Sequence, residues 1–410
     1  MTPKPVHAVG RTLHRNVLLG VTGSIAAYKS AVLVRELVKA GAQVQVVMTP
    51  SAHDFVTPLT LATLSKRPVL TDMFLRNGGG QWNDHVSLGR WADVMLIAPA
   101  SANTLGKMAT GICDNLLLAT FLSADGAVYV APAMDLEMFR DASVAHNLDV
   151  LQARGVKVIG PESGELASGL EGKGRMTEPE EIVARLEQDL MARSALRGKR
   201  VLITAGPTQE AIDPVRFIGN RSTGKMGFAL AEAAAARGAI VQLVAGPMAL
   251  VTDRPGITRH DVVTAAQMAD VCERLAPDQD VVIMSAAVAD HRPAEPADRK
   301  IKKEGGALEL RLERTKDILA GLSEQRPKGQ LVVGFALETD HAIEHGTGKL
   351  HRKKLDMIVV NTLEDAGAGF GHDTNKVTLI QRVGEGTKAW ELPLMSKHHV
   401  AEHILDALED

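Results

Sequence analysis

Asn16-Val17-Leu18-Leu19-Gly20-Val21 runs into Thr22-Gly23-Ser24, and a helical pattern over Ile25–Lys39 then stops at Gly41 before the apolar run Gln43–Met48. A short apolar strand, a glycine turn, a helix and a second apolar strand make one βαβ step of a parallel sheet. The same rhythm continues through strands at Asp93–Ala98, Ala127–Ala131 and Val156–Ile159, with a helix at Asn115–Leu122 and a charged helix at Glu180–Arg193. Near-continuous apolar strands separated by helices mean a sheet covered on both faces. The pattern restarts at Val201-Leu202-Ile203-Thr204-Ala205, again followed by glycine. Helix Gly224–Arg237 and strand Ile240–Ala245 follow, with further strands at Val281–Ser285, Leu308–Arg314, Leu331–Gly334, Met357–Val360 and Lys376–Arg382. The last two flank a Gly-rich loop and predict an antiparallel addition. The expected fold is α/β, with two doubly wound Rossmann-like domains in series. Residues 1–15 are expected to be a flexible tail, 16–193 the first domain, 194–200 a linker and 201–410 the second domain.

Composition agrees with two domains. The chain has 410 residues, 45% hydrophobic and 23% charged, enough for ample cores at about 150 residues per domain. Its net charge of −3 and 3% aromatic content argue against a nucleic-acid surface or a base-stacking platform. No apolar run approaches the roughly 18 residues of a membrane span. The first 15 residues carry Lys4, Arg11 and Arg15 without an apolar signal core. Cys113 and Cys272 stand 159 residues apart, which offers neither a disulfide framework nor a metal knuckle. A cytoplasmic, multi-domain protein is expected.

In a doubly wound sheet, ligands sit beyond the carboxyl ends of the strands. Four such ends in the first half are polar: Thr22-Gly23-Ser24, Thr49-Pro50-Ser51, Ser101-Ala102-Asn103-Thr104 and Ala133-Met134-Asp135. Singly each is an ordinary capped turn; together they point to a nucleotide or a flavin. The first is no dinucleotide fingerprint, because Gly20 and Gly23 are wrongly spaced. His85 precedes the strand at Asp93 among acidic and hydroxyl neighbours, and histidine is the side chain suited to general-base work near neutrality.

In the second half, Gly219-Asn220-Arg221-Ser222-Thr223-Gly224-Lys225-Met226 nearly spells a P-loop. Met226 replaces the magnesium-binding hydroxyl, and the loop does not follow directly on a strand; both count against a true P-loop NTPase. A helix start with Ser222 and Thr223 near its cap remains fit for an anion. Two basic clusters, Arg299-Lys300-Ile301-Lys302-Lys303 and Lys349-Leu350-His351-Arg352-Lys353-Lys354, supply the several cations a triphosphate needs.

The first-half set Gly23–Lys29, Pro99–Thr104, His85 ahead of Leu88-Gly89-Arg90-Trp91, and Pro132-Ala133-Met134 resembles the FMN-containing cysteine decarboxylases, over about Asn16 to Leu190. That resemblance implies oxidation of a cysteine thiol at FMN, which eases loss of the neighbouring carboxylate. Gly23, Ser24, Ser51, Phe55, Ser101 and Asn103 would hold FMN, His85 would be the base, and Met134 and Asp135 would contact substrate. Two positions depart from the pattern. Asp135 stands where the family has asparagine, and Ser168, in Ala167-Ser168-Gly169, where many members have the cysteine credited with reprotonation. Either Ser168 acts within a relay, or Glu165 or Glu171 donates. FMN sites of this family lie between subunits, which implies a homo-oligomer.

The second half carries Ile203–Thr208, Asp213–Asn220, Ser222–Gly227, Ala286–Asp290, Lys300–Lys303 and Gly334–Thr339. This set resembles the 4′-phosphopantothenate–cysteine ligases over about Gly198 to Leu405, and the fusion resembles the bifunctional bacterial enzymes of coenzyme A biosynthesis. By that resemblance Ala286, Asp290, Lys300, Lys316, Asp317, Ile318, Leu319, Phe335, Lys349 and Lys353 bind CTP, with Mg²⁺ bridging its phosphates. Lys300 would assist formation of an acyl-cytidylate. Asn220 would act when cysteine displaces CMP, and Arg216 shares its motif. The implied substrates are 4′-phosphopantothenate, cysteine and CTP. Two rivals stand beside this reading: an active ligase with a flavin-binding regulatory or assembly domain, and a pyridine-nucleotide oxidoreductase, which the absent dinucleotide fingerprint disfavours.

Overall fold

The computed structural model describes residues 13, 15–74, 81–302, 308–338, 341–362, 369, 371–384 and 386–409. Two compact units divide at Asp189 and Leu190, inside the helix Pro179–Arg193.

In the first unit five parallel strands, β1 (Asn16–Val21), β2 (Gln43–Met48), β3 (Val94–Ala100), β4 (Ala127–Pro132) and β5 (Lys157–Val158), lie in the order β2-β1-β3-β4-β5. This is the flavodoxin-like order, whose chain direction switches between β1 and β3 and leaves a crevice at their carboxyl ends. Every residue of β3 is buried, as a central strand covered by helices on both faces requires. Leu18, Met95, Ile97, Leu105, Met108 and Leu117 fill one side of the sheet.

The structure refines three local segments. The helix expected over Ile25–Lys39 is a 3-10 turn, Ile25–Lys29, followed by an α-helix, Ser30–Lys39. The junction is held from a distance: Lys29 Nζ donates to the Met176 carbonyl at 2.9 Å, and Ser30 Oγ to that of Ala98 at 3.3 Å. The segment around His85, ahead of the strand, is a helix, His85–Trp91, capped by Asp84. Ser168 lies in the turn of an antiparallel hairpin, Glu162–Glu165 with Glu171–Arg175.

The second unit holds β6 (Arg200–Ala205), β7 (Ile240–Ala245), β8 (Ile257–Asp261), β9 (Val281–Met284), β10 (Leu331–Glu338), β11 (Met357–Thr362), β12 (Thr374–Val383) and β13 (Gly386–Ser396). They lie in the order β8-β7-β6-β9-β10-β11-β12-β13. The first six are parallel in the Rossmann order. β12 and β13 add antiparallel to β11, as the pattern around the Gly-rich loop predicts. The strand expected at Leu308–Arg314 shrinks to Leu312–Arg314 and leaves the main sheet to pair with His291–Pro293. Its apolar alternation misleads because all three residues are exposed. No described helix is long and apolar enough to cross a membrane.

Candidate active sites

A cavity of about 840 Å³ opens where β1 and β3 end. Thr22 Oγ1 donates to the Pro99 carbonyl at 2.7 Å and accepts from Ser101 N at 3.0 Å, locking the two strand-end loops together. Ser24 and Ser101 cap the helical segments that follow, accepting from Ala26 N and Thr104 N. Gly23 is required by contact: a Cβ there would lie 2.5 Å from Ser51 Oγ and 2.7 Å from Ser51 Cβ. The far wall is built by Ala133–Asp135, by Glu165–Ser168 of the hairpin and by Gly174–Met176. Lys29, 5% exposed, ties that wall to the near side through Met176 and through Glu178 at 2.8 Å. Lysine and Arg175 together hold the Glu178 carboxyl below its usual range, against an opposing desolvation; the Lys29 hydrogen bond is the largest cause.

Of the residues expected to hold FMN, Gly23, Ser24, Ser51, Ser101 and Asn103 line this cavity, and so do Met134, Asp135 and Ser168. Phe55 does not: it is 44% exposed on the turn after Ser51. Nor does His85, which begins its helix beside Trp82, ring centroids 5.6 Å apart, with its Nδ1 buried and without a hydrogen-bond partner. Within one chain His85, the expected base, is therefore not brought to the cavity. The two departures from the family pattern touch each other: Ser168 Oγ donates to Asp135 Oδ1 at 3.0 Å. Of the alternative acids, Glu165 lines the cavity and Glu171 does not.

The second unit has a cavity of about 800 Å³ at the carboxyl ends of β6, β9 and β10. Its floor, Ser285–Asp290, is stapled to the end of β6. Ala286 N donates to Thr204 Oγ1 at 3.1 Å, Ala289 N to Thr208 Oγ1 at 2.9 Å, and Ser285 Oγ to the Thr204 carbonyl at 2.6 Å. The near-P-loop borders it. Gly224, at φ +76°, is the cap of helix Lys225–Ala236, and a Cβ there would meet Met248 Sδ at 2.4 Å. No side chain caps this helix, so its first N–H groups are available to an anion.

Ala286, Asp290, Lys316, Asp317, Ile318, Leu319, Phe335, Lys349 and Lys353 all line the second cavity, as does Asn220. Lys353 pairs with Asp317 at 2.8 Å, Lys349 with Glu338 at 2.6 Å, and Lys316 with Glu273. Burial works against the Asp317 charge, but Lys353 and the Ala320 N–H hold its carboxyl below the usual range. Both amide hydrogens of Asn220 go to the Ala287 and Val288 carbonyls, at 3.1 and 3.0 Å, which leaves its oxygen as the group to offer a substrate. Two lining cations lie beyond those expected to bind CTP: Lys225 of the near-P-loop, paired with Asp373 at 2.6 Å, and Lys397, which no motif marks. Lys397 is 6% exposed, and burial, then Lys225, lowers its pKa. It opens the last helix and reaches the cavity only through the fold.

Two expected residues stand elsewhere. Lys300 is exposed and outside the lining set. Arg216 is committed to Asp213, at 3.0 and 2.6 Å, and to the Ile301 carbonyl at 2.8 Å. It clamps the segment that carries Lys300 rather than facing the cavity. Lys303 and Thr339 lie outside the described residues, which hold no group of three or more His, Cys, Asp or Glu that could bind a metal.

A flavodoxin-ordered domain with a ligand crevice, followed by a Rossmann-ordered domain with a lysine-lined cavity, defines a two-domain nucleotide-binding protein. Residues 8–191 match the Flavoprotein family model, and 196–410 match the DNA/pantothenate metabolism flavoprotein C-terminal domain. The Coenzyme A biosynthesis bifunctional protein CoaBC of Bacillus subtilis (strain 168) is 46% identical over 399 residues, 96% of this chain and 97% of that one. A Cysteine/Cysteine sulfinic acid decarboxylase from an unknown prokaryotic organism is 51% identical over 354 residues, 85% of this chain and 98% of the relative. A solved C-terminal domain of a CoaBC bifunctional protein is 44% identical and covers 53% of this chain and 96% of its own, with a TM-score of 0.44. The chain belongs to the family of bifunctional coenzyme A biosynthesis proteins.

Proposed function

We propose that the second domain joins cysteine to 4′-phosphopantothenate with CTP, through an acyl-cytidylate, and that the first domain decarboxylates the product to 4′-phosphopantetheine with FMN. The observation that carries the reading is the second cavity, where nine residues expected to bind CTP converge from four separate segments. Lys316, Lys349 and Lys353 face the triphosphate beside the uncapped helix start at Lys225. Mg²⁺ would be held by the phosphates, and these lysines with it would supply the charge that stabilises the departing pyrophosphate. The Asn220 oxygen, its amide already anchored, accepts from the cysteine amine and orients it toward the mixed anhydride.

The first cavity fits a flavin. It lies at the switch point, it has the volume of a cofactor site, and Gly23 leaves room where a side chain would collide with Ser51. Gly23, Ser24, Ser51, Ser101 and Asn103 would hold FMN, which supplies reversible two-electron oxidation of the substrate thiol. Ser168 donates a hydrogen bond to Asp135 and so positions that carboxylate, and Glu165 would be the acid that reprotonates the product carbon. His85 and Phe55 complete the site from another copy of the chain, in a cytoplasmic homo-oligomer. The unpartnered Nδ1 of His85 and the exposed Ile25, Tyr28, Leu59, Phe74 and Trp82 of this domain support that arrangement.

The test is a mass-resolved assay of the purified chain with 4′-phosphopantothenate, cysteine, CTP and Mg²⁺, beside His85→Asn. The wild type should yield 4′-phosphopantetheine, and the variant should accumulate 4′-phosphopantothenoylcysteine. Accumulation by the wild type overturns the decarboxylase half; unchanged carbon dioxide release by the variant removes His85 from the chemistry.

A second reading concerns only the first cavity: that it takes cysteine itself. The 51% identical relative favours it, as does the carboxylate of Asp135 in the cavity wall.

A further inference from the structure

The charges lining the first cavity are unevenly answered. Lys29 and Arg175 share Glu178, each at 2.8 Å, so both cations are already paired within the wall. Asp135 and Glu165 also line the cavity, and among the described residues no ion pair joins either. Asp135 Oδ1 takes two hydrogen bonds, from Leu136 N at 2.7 Å and from Ser168 Oγ at 3.0 Å. Two donors on one oxygen fix the plane of the carboxylate. The other oxygen, Oδ2, receives no hydrogen bond among the described residues.

An oriented carboxylate with one oxygen free is a receptor for a cationic N–H donor, and charge-assisted hydrogen bonds of this type are short and strong. The acylated and free forms of cysteine differ at this point. N-acylation turns the α-ammonium into a neutral amide, whereas unacylated cysteine carries the cation beside the carboxylate it is to lose. We infer that Asp135 Oδ2 receives the α-ammonium of unacylated cysteine, with Ser168 holding the carboxylate in place, so that the first cavity decarboxylates the free amino acid as well as the acylated one. The inference deepens the second reading above and rests on the first cavity being a decarboxylase site. The step balances: the bond from the α-carbon to the carboxylate breaks, carbon dioxide leaves and the carbon takes one proton. Cysteine plus a proton gives cysteamine plus carbon dioxide. The two electrons the flavin accepts from the thiol-bearing carbon return to the product, so no external oxidant or reductant is consumed.

The experiment uses the flavin-loaded full chain and Asp135→Asn, an isosteric change that keeps a capping residue. Carbon dioxide release is followed from L-cysteine and from 4′-phosphopantothenoylcysteine. Binding of cysteamine and of N-acetylcysteamine is titrated through the flavin spectrum, which also reports that the variant is folded and loaded. The wild type should turn over cysteine and bind cysteamine more tightly than its acetyl form. The variant should lower the ratio of kcat/KM for cysteine over the acylated substrate by roughly ten- to a hundredfold, mainly through KM, and abolish the preference for cysteamine. An unchanged ratio, or wild type active on the acylated substrate alone, overturns the inference and leaves the decarboxylase reading standing. No carbon dioxide from either substrate in flavin-loaded wild type overturns both.

Discussion

Gly23→Ala tests the packing on which the flavin crevice depends. The added methyl would lie 2.5 Å from Ser51 Oγ, 2.7 Å from Ser51 Cβ and 3.1 Å from the Ser51 carbonyl oxygen. Rotating the serine hydroxyl relieves only the first contact, because the Cβ is fixed to the backbone. The loops after β1 and β2 must therefore move apart. Overpacking of this kind costs about 1–3 kcal/mol, or about 2–4 °C of melting temperature per kcal/mol in a domain of this size. Flavin retention should fall with it. Ser51→Gly removes both closest atoms and leaves the carbonyl oxygen as the nearest, so the double variant Gly23→Ala/Ser51→Gly should recover most of the loss relative to Ser51→Gly alone. The assay is thermal unfolding of the four proteins of this cycle, read by flavin release, with CTP-dependent ligation as a control for the second domain. The cycle subtracts the intrinsic cost of the new glycine and isolates the coupling. Strictly additive effects, or a Gly23→Ala protein that melts and holds flavin like the wild type, would refute the steric argument.

Two further predictions concern the second domain. Arg237, 5% exposed, reaches Glu402 at 2.7 Å, Asp406 at 2.6 Å and Glu409 at 2.8 Å on the last helix; Arg237→Met strands those carboxylates and should cost about 3–5 kcal/mol in urea unfolding, and a loss below about 1 kcal/mol would show that the cluster does not anchor the helix. Burial opposes the charge of Asp213, but Arg216 and the N–H groups of Val215, Ile301 and Arg216 hold its pKa well below the carboxylate range. Its contribution is thus complete above the unfolded value near 3.9 and is lost only as pH falls through the lower folded value. Hydrogen exchange at residues 299–302 should stay slow on acidification through pH 4 and become fast at neutral pH in Asp213→Asn. Release of the wild-type segment near pH 4 would contradict that order.

Much of the second cavity was legible because its residues sit in short, chemically marked segments. Ala286–Asp290 follows an apolar strand, Lys316–Leu319 opens a helix, and Lys349 and Lys353 share one helical face. Lys397 was illegible. In sequence it is one more lysine at a helix start, and it enters the cavity because β12 and β13 carry that helix back to the sheet. Arg216 and Lys300 show the opposite relation. Their motif marks the neighbourhood correctly, but Asp213 takes the guanidinium, and the loop that carries Lys300 is pinned outside the lining.

Hydrophobic period and glycine turns are local properties, so the sequence carries the two α/β halves, the parallel strands and the antiparallel addition. It also marked Gly23, Ser24, Ser101 and Asn103, since strand-end loops of a doubly wound sheet have one side to face. The strand orders, and with them the places where the crevices open, come only with the tertiary structure. It alone paired Ser168 with Asp135, across 33 residues of chain, gave Glu165 rather than Glu171 to the cavity, and set His85 and Phe55 outside it. A hydrogen bond over such a span depends on how the hairpin folds back over the strand ends, and no periodicity within either segment encodes that.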